Sequence, residues 1–371
     1  MAATVPSSEL QQPSIAGAFA ERVIDWQKVH GRHDLPWQNT RDPYRIWVSE
    51  IMLQQTQVAA VIPYYQRFMA RFPDIANLAN ASEQDVLEHW SGLGYYARGR
   101  NLHSAARIIV QQHGGNFPRS LDAVCALPGI GRSTAAAICA FAFGARAAIL
   151  DGNVKRVLAR HEGVPGYPGD KRVQDALWQR ADALLPHTGV ERYTQGLMDL
   201  GANICMRRKP ACRLCPVAVD CIARRDGSIA QIPAPRPAKI LPERQTTMLV
   251  LWHAGEVLLQ KRPSLGIWGG LWSFPEARDG DIENAVACLG LETLTMTPLA
   301  LVDHGFTHFK LRITPVLAAV SRPPLSVRED GYTWLSAEAA LAAAIPAPVK
   351  QILIGLHRPD AQLNAQLALG L

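Results

Sequence analysis

The sequence predicts an all-α domain followed by a smaller α+β domain, on three observations. Up to about residue 225, apolar side chains recur at helical spacing between Ser, Pro and Gly punctuation. Residues 226–244 then turn proline-rich, ending in IAQIPAPRPAKILPER, the composition of a semi-rigid linker. In residues 245–371 short strand-like runs alternate and two apolar helical stretches follow. A chain of 371 residues is long enough for two cores.

Composition bounds the rest. Apolar content of 48% with 19% charged is an ordinary globular mix. Residues 1–14 carry neither a basic run nor an apolar core, so they are expected to be a disordered N-terminus rather than a signal peptide or anchor. The longest uncharged apolar stretch, Ser133–Ala145, is too short to span a bilayer, and a soluble cytoplasmic protein is expected. Residues 1–225 hold 26 Lys+Arg against 19 Asp+Glu, whereas the remainder holds 12 against 13. A basic first part suits a phosphate-bearing partner.

The first element, Ile15–His30, has Ala16, Phe19, Ala20, Val23, Ile24 and Trp26 at helical period. Turn-rich Gly31–Pro43, containing Leu35-Pro36-Trp37, leads into Tyr44–Tyr65, which reads as one helical run. Glu50 is the only acid there, among Ile46, Trp47, Ile51 and Leu53. A dry setting favours the neutral acid and suits a proton donor; a solvated helix glutamate is the ordinary alternative. Ser82 opens a capped helix ending near Trp90, followed by Gly92-Leu93-Gly94 and adjacent tyrosines. Tyr95 at such a tip is either a stacking wedge or a core residue.

The next elements frame the most informative stretch. A short helix capped by Ser120 reaches Ala126, and a second runs from Arg132 to Phe143, stopped by Gly144. Between them the hairpin Leu127-Pro128-Gly129-Ile130-Gly131 aims unpaired backbone N–H groups one way at a helix start, a phosphate cradle or an ordinary tight turn. Asp151, in Leu150-Asp151-Gly152-Asn153, brings a carboxylate to the start of the following helix, where it is also a natural N-cap.

Of seven cysteines, Cys205, Cys212, Cys215 and Cys221 fall in one C-x6-C-x2-C-x5-C window. That spacing points to a metal centre and leaves zinc and a four-iron cluster both open. Arg207, Arg208, Lys209 and Arg213 give its loop a basic edge. Cys125, Cys139 and Cys288 read as core. Past the linker, Thr246–His253 and Glu256–Lys261 form a hairpin through Ala254-Gly255, Phe306–Val316 and Tyr332–Leu335 read as strands, and Ala337–Ala344 and Val349–Leu356 as helices.

Taken together, the Leu35-Pro36-Trp37 segment, Val48–Gln57, Gly92–Tyr96, the LPGIGRSTA hairpin, Asp151–Val154 and the four cysteines resemble, in order, the helix-hairpin-helix DNA glycosylases with an iron–sulfur cluster, relatives of endonuclease III. Within them the chain is similar to the adenine-specific branch, which acts on adenine opposite 8-oxoguanine. The resemblance implies a helix-hairpin-helix glycosylase domain over 15–204, a [4Fe–4S] cluster loop over 205–225 and a Nudix-like α+β domain over 245–371 that recognises 8-oxoguanine. It implies Glu50 and Asp151 as catalytic acids and the four cysteines as cluster ligands. Gln55, Tyr95, Leu127, Gly129, Gly131 and Arg132 would contact DNA, Trp37 and Gln195 would line an adenine pocket, and Phe306, Thr307 and His308 would read 8-oxoguanine. The implied partner is duplex DNA bearing an A·8-oxoG or A·G mismatch, bound by a monomer.

Three departures from the family's pattern bear on the expectation. Strand-cutting relatives place a lysine where this chain has Ser133, so base removal without efficient strand cleavage is expected. A Nudix magnesium site needs a cluster of glutamates on the following helix, and after Pro275 the next glutamates are only Glu276 and then Glu283. The His304–Phe309 loop carries Thr307 where the family usually has serine. A pyrimidine-specific glycosylase-lyase would lack Glu50 and carry lysine at 133, whereas a non-catalytic DNA-binding scaffold would tolerate loss of either acid.

Overall fold

The computed structural model describes residues 15–237, 240–264, 266–277, 280–321 and 331–356; the expectation for residues 1–14 lies outside them. Contacts divide the chain into two compact units, Met1–Ala79 with Ser104–Ala238, and Asn80–His103 with Lys239–Leu371. The division at 238/239 falls inside the stretch read as linker. The grouping of 80–103 with the C-terminal residues was not foreseen.

In chain order the helical elements are α1 Ile15–His30, α2 Pro43–Leu53, α3 Val58–Arg71, α4 Ile75–Asn80, α5 Glu83–Trp90, α6 Ala97–His113, α7 Leu121–Cys125, α8 Arg132–Phe143, α9 Gly152–His161, α10 Lys171–Ala183, α11 Val190–Asp199 and α12 Ile222–Arg225. Local chemistry sets their ends. Asp42 caps α2 by accepting the Tyr44 N–H, Ser120 caps α7, and Gly144 ends α8 in the left-handed region at φ 66°. The expected single run Tyr44–Tyr65 is instead two helices: Gln54 and Thr56 N–H groups turn back to Ile51 and Leu53, and Gln55 adopts φ 58°. No Gly or Pro marks that break, so helical spacing alone read straight through it.

The first unit's core gathers Phe19 and Val23 of α1, Ala136, Ala137 and Ala140 of α8, Val154 and Leu158 of α9, and Tyr193 and Leu197 of α11. Burying each large apolar side chain contributes roughly 1.5–3 kcal/mol. The alanines of α8 let α2, α7 and α11 pack closely around it. Part of the supposed linker belongs here too. Ile232 is buried, its carbonyl accepts from Arg160 Nε at 2.8 Å, and Ala234 N–H reaches Gly166 O at 3.0 Å. Apolar anchors among the prolines found a core to join.

Among the described residues of the second unit an eight-stranded sheet runs β3-β2-β1-β7-β5, with β4 on β1, β6 on β7 and β8 on β2. The strands are β1 Glu243–His253, β2 Glu256–Lys261, β3 Trp272–Ser273, β4 Glu276–Ala277, β5 Thr293–Pro298, β6 Val302–Gly305, β7 Lys310–Val320 and β8 Tyr332–Ser336. β1 and β7 are parallel, from Glu243 opposite Lys310 to Trp252 opposite Ala319. Met248 and Val250 face one core with α14 Ala337–Ala342 and α15 Ala347–Leu356; Leu249 and Leu251 face another with α13 Ile282–Ala287. Two readings need correction. The strand expected over Phe306–Val316 begins at Lys310, because Phe306 N–H closes a turn onto Phe309 O at 2.9 Å. Cys288 is exposed rather than core, at the end of short α13.

Candidate active site and nucleic-acid interface

Glu50 lies on the last turn of α2, one helical turn on from Ile46 and Trp47 and on their side of the helix. It borders a cavity of about 540 Å³ whose lining also includes Trp37, Ile46, Leu53, Gln195 and Met198. Burial, reinforced by the nearby Asp151 carboxylate, pushes the Glu50 carboxyl up to about 8. Asp151 is the N-cap of α9, its Oδ1 accepting the Asn153 and Val154 N–H groups, each at 2.8 Å. Burial pushes Asp151 upward as well, but those two N–H donors and the Arg156 and Lys155 cations pull the other way. The cap and the catalytic candidate are therefore one residue. Asp151 is held above the usual carboxylate range on balance, but of the two acids it is the one given N–H donors and neighbouring cations that favour the anion.

Behind the cavity wall, bonded to its lining residues Arg32 and Gln195, stands a residue that sequence reasoning missed. Asp199 is fully buried at the end of α11 and accepts from Arg32 Nε at 2.6 Å, from the Arg32 N–H at 2.9 Å and from Gln195 Nε2 at 2.9 Å. With its amide nitrogen so engaged, Gln195 has its carbonyl oxygen free to accept from an amino group. The i, i+4 spacing of Gln195 and Asp199 was the available signal. Trp37 closes the wall edge-to-face on Tyr65 at 5.3 Å.

The hairpin has the expected form. Ile130 N–H returns to Leu127 O at 3.2 Å, Gly129 takes φ 78°, and Gly131 is the N-cap of α8. A Cβ at Gly131 would meet nothing within 4 Å and its φ is not left-handed, so neither packing nor conformation requires glycine there. The clearance suits an approaching backbone from outside the chain. Leu127 is buried and supports the hairpin from beneath. Arg132 pairs with Asp182 at 3.0 Å and lies over the Trp178 ring at 3.8 Å. Ser133 Oγ accepts the Leu150 N–H at 2.9 Å, fastening the segment that enters Asp151. Gln55 is exposed at its left-handed turn.

The four cysteines line one cavity together with Val157, Arg160, His161 and Val217. All are unpaired, and among the described residues no three His, Cys, Asp or Glu side chains are grouped as around a single metal ion. Burial, and after it the neighbouring thiols, push Cys215 up to about 12. Buried Arg160 donates to Cys205 Sγ at 3.4 Å and Met206 O at 2.8 Å, and Arg156 Nε to Cys205 O at 2.7 Å. Soft donors around one cavity, held by fixed cations, fit an iron–sulfur group.

In the second unit, Tyr95 is 52% exposed at φ 50°, with Arg98 stacked against its ring at 5.6 Å. Thr307 and His308 are exposed, Thr307 Oγ1 lying 3.3 Å from His308 Nδ1. Phe306 instead stacks on buried Phe309 at 4.4 Å and meets His304 and Trp268 at 4.7 and 5.6 Å, so it anchors the loop.

Comparisons with known proteins bear on this arrangement. Residues 48–182 match the HhH-GPD superfamily of base excision DNA repair proteins, and residues 246–355 match the NUDIX domain. The adenine DNA glycosylase of Buchnera aphidicola subsp. Baizongia pistaciae is 35% identical over 342 residues, 92% of this chain and 97% of that protein. The human adenine DNA glycosylase is 32% identical, over 90% of this chain and 73% of its own length. Among solved structures, a thermostable thymine-DNA glycosylase aligns with TM-score 0.51 and 30% identity, covering 57% of this chain and 97% of that one.

Proposed function

The chain belongs to the adenine DNA glycosylase family, and from that premise we propose that it releases adenine paired with 8-oxoguanine or guanine and leaves an abasic site without efficient strand cleavage. As a member it is a base excision repair enzyme that removes adenine by hydrolysing an N-glycosyl bond. The observation that carries the mechanism is the pair of enclosed carboxylates, Glu50 with its proton held up to about 8 and Asp151 supplied with two N–H donors.

Adenine leaves poorly until a ring nitrogen is protonated, so a neutral Glu50 donates that proton. Bond cleavage then builds positive charge on the sugar, which anionic Asp151 stabilises. The base must leave the helical stack first, since neither acid reaches it within a duplex. Trp37 and Gln195 receive the extruded adenine, Gln195 through its free carbonyl oxygen. The hairpin N–H groups at Gly129 and Gly131 hold a phosphate, while Gln55 and Tyr95 enter the duplex beside the lesion. Ser133 offers a hydroxyl, already engaged with Leu150, where strand cleavage would need an amine. Thr307 and His308 read the opposite base. Cys205, Cys212, Cys215 and Cys221 would hold a [4Fe–4S] cluster, whose contribution is to fold the basic loop against DNA.

Duplexes labelled on the adenine strand, with A opposite 8-oxoG, G, C or T, test this reading. Glu50→Gln and Asp151→Asn should each abolish adenine release in single turnovers while retaining mismatch binding, and wild-type product should need alkali before the strand breaks. Near wild-type rates in either variant would sink the assignment.

A further inference from the structure

Residues 80–103 pack with 239–371 in one unit, and three contacts make the join specific. The Tyr96 hydroxyl donates to Ile345 O at 2.9 Å and accepts from the Gly92 N–H at 3.4 Å, so it closes its own turn and hooks it to the C-terminal domain. Arg100 Nη1 donates to Gly269 O at 2.6 Å. Leu87 is buried with Leu271 and Ala344, and Tyr96 and Trp268 both pack on that cluster. Gly270 is required beside it, at φ 75° with a Cβ 3.1 Å from Glu83 Oε1.

Trp268 faces both ways. It packs on the cluster that seats Tyr96, and its ring meets Phe306 at 5.6 Å and His304 at 5.7 Å. Close-packed side chains therefore run from the 306–308 loop through Trp268 to the turn that bears exposed Tyr95. We propose that Tyr96 and Arg100 are positioning residues coupling the base-reading loop to the Tyr95 wedge, so that the opposite base governs how the wedge is aimed. This rests on the roles given above to Tyr95, Thr307 and His308. It accounts for a polar hook on an otherwise apolar join: a hydroxyl and a guanidinium fix direction where a greasy contact fixes only proximity.

Tyr96→Phe deletes the hook and keeps the ring in its cluster; Arg100→Gln deletes the second tie. Each should lower the preference for A·8-oxoG over A·G by roughly fivefold, the scale of one buried hydrogen bond. Single-turnover rates on A·G at saturating enzyme should stay within about twofold of wild type. A 2-aminopurine beside the mismatch should report less unstacking in the A·8-oxoG complex, and unchanged thermal unfolding would set aside a merely structural loss. In a Thr307→Ala background, Tyr96→Phe should cause little additional loss, because the two sites act in series. Wild-type preference and fluorescence in both tie variants, or fully additive losses, would overturn the coupling. If Thr307→Ala alone lowers preference while Tyr96→Phe does not, the loop keeps its role and the coupling fails. If Thr307→Ala with His308→Ala leaves preference intact, the loop's role fails and the coupling with it.

Discussion

At the scale of single residues, Glu50 shows how function and stability oppose each other. In an unfolded chain its carboxyl ionises near 4.5, whereas the folded site holds the proton to about 8. Between those values the folded state binds more protons than the unfolded one, so stability falls as pH rises across that window. Glu50→Gln should therefore raise stability by about 1–3 kcal/mol near pH 8, a shift reduced because the side chain borders a cavity, and the gain should vanish near pH 4. Denaturant titrations of both proteins at the two pH values measure it; equal midpoints throughout would mean Glu50 ionises freely. Adenine release should decline as pH rises through about 8, where the acid loses its proton. Part of this was legible: a lone acid among Ile46, Trp47 and Ile51 allowed a dry setting, beside the ordinary alternative of a solvated helix glutamate. The Asp199 support of Gln195 showed in the sequence only as an i, i+4 spacing, since its other partner Arg32 is remote in sequence and only folding buries the three together.

Among elements, the cysteine loop is the most readable and the helix break at Gln54–Gln57 the least. Cysteine spacing predicts a shared centre because thiolate chemistry demands proximity whatever the fold. What sequence left dark is how the loop is tied down: Arg160 spends its guanidinium on Cys205 Sγ, Met206 O and Ile232 O, contacts that join three separate chain segments. The helix break depends on tight turns made by ordinary glutamines, which carry no sequence signature. Purified protein should be yellow-brown with about four irons per chain. Arg160→Gln should keep its fold yet lose iron to a chelator faster than wild type, because the cavity loses its buried cation. Stoichiometric zinc in protein made with ample iron would overturn the cluster, and unchanged iron loss in the variant would remove Arg160 from its support.

For the whole molecule, the domain order was legible from composition, but the unit boundary was not, because residues 80–103 join the C-terminal unit through contacts that no local pattern encodes. That grouping changes what truncation does. A chain ending at Ala238 keeps Ile232 in the first core, so the cut falls where few anchors are lost. It nevertheless strips Leu271 and Ala344 from Leu87, which is 1% exposed in the intact chain, and removes the Ile345 carbonyl from Tyr96. Uncovering Leu87 alone forfeits roughly 1.5–3 kcal/mol of local burial, enough to loosen the turn that presents Tyr95. The truncated protein should thus be cleaved faster within residues 90–100 under limited proteolysis, and it should lose activity on A·G as well as on A·8-oxoG. Thr307→Ala with His308→Ala, which leaves the Leu87 cluster intact, should lower only the preference for A·8-oxoG. A truncated chain that resists protease in that window and processes A·G at the full rate would show that the glycosylase unit orders residues 80–103 without help.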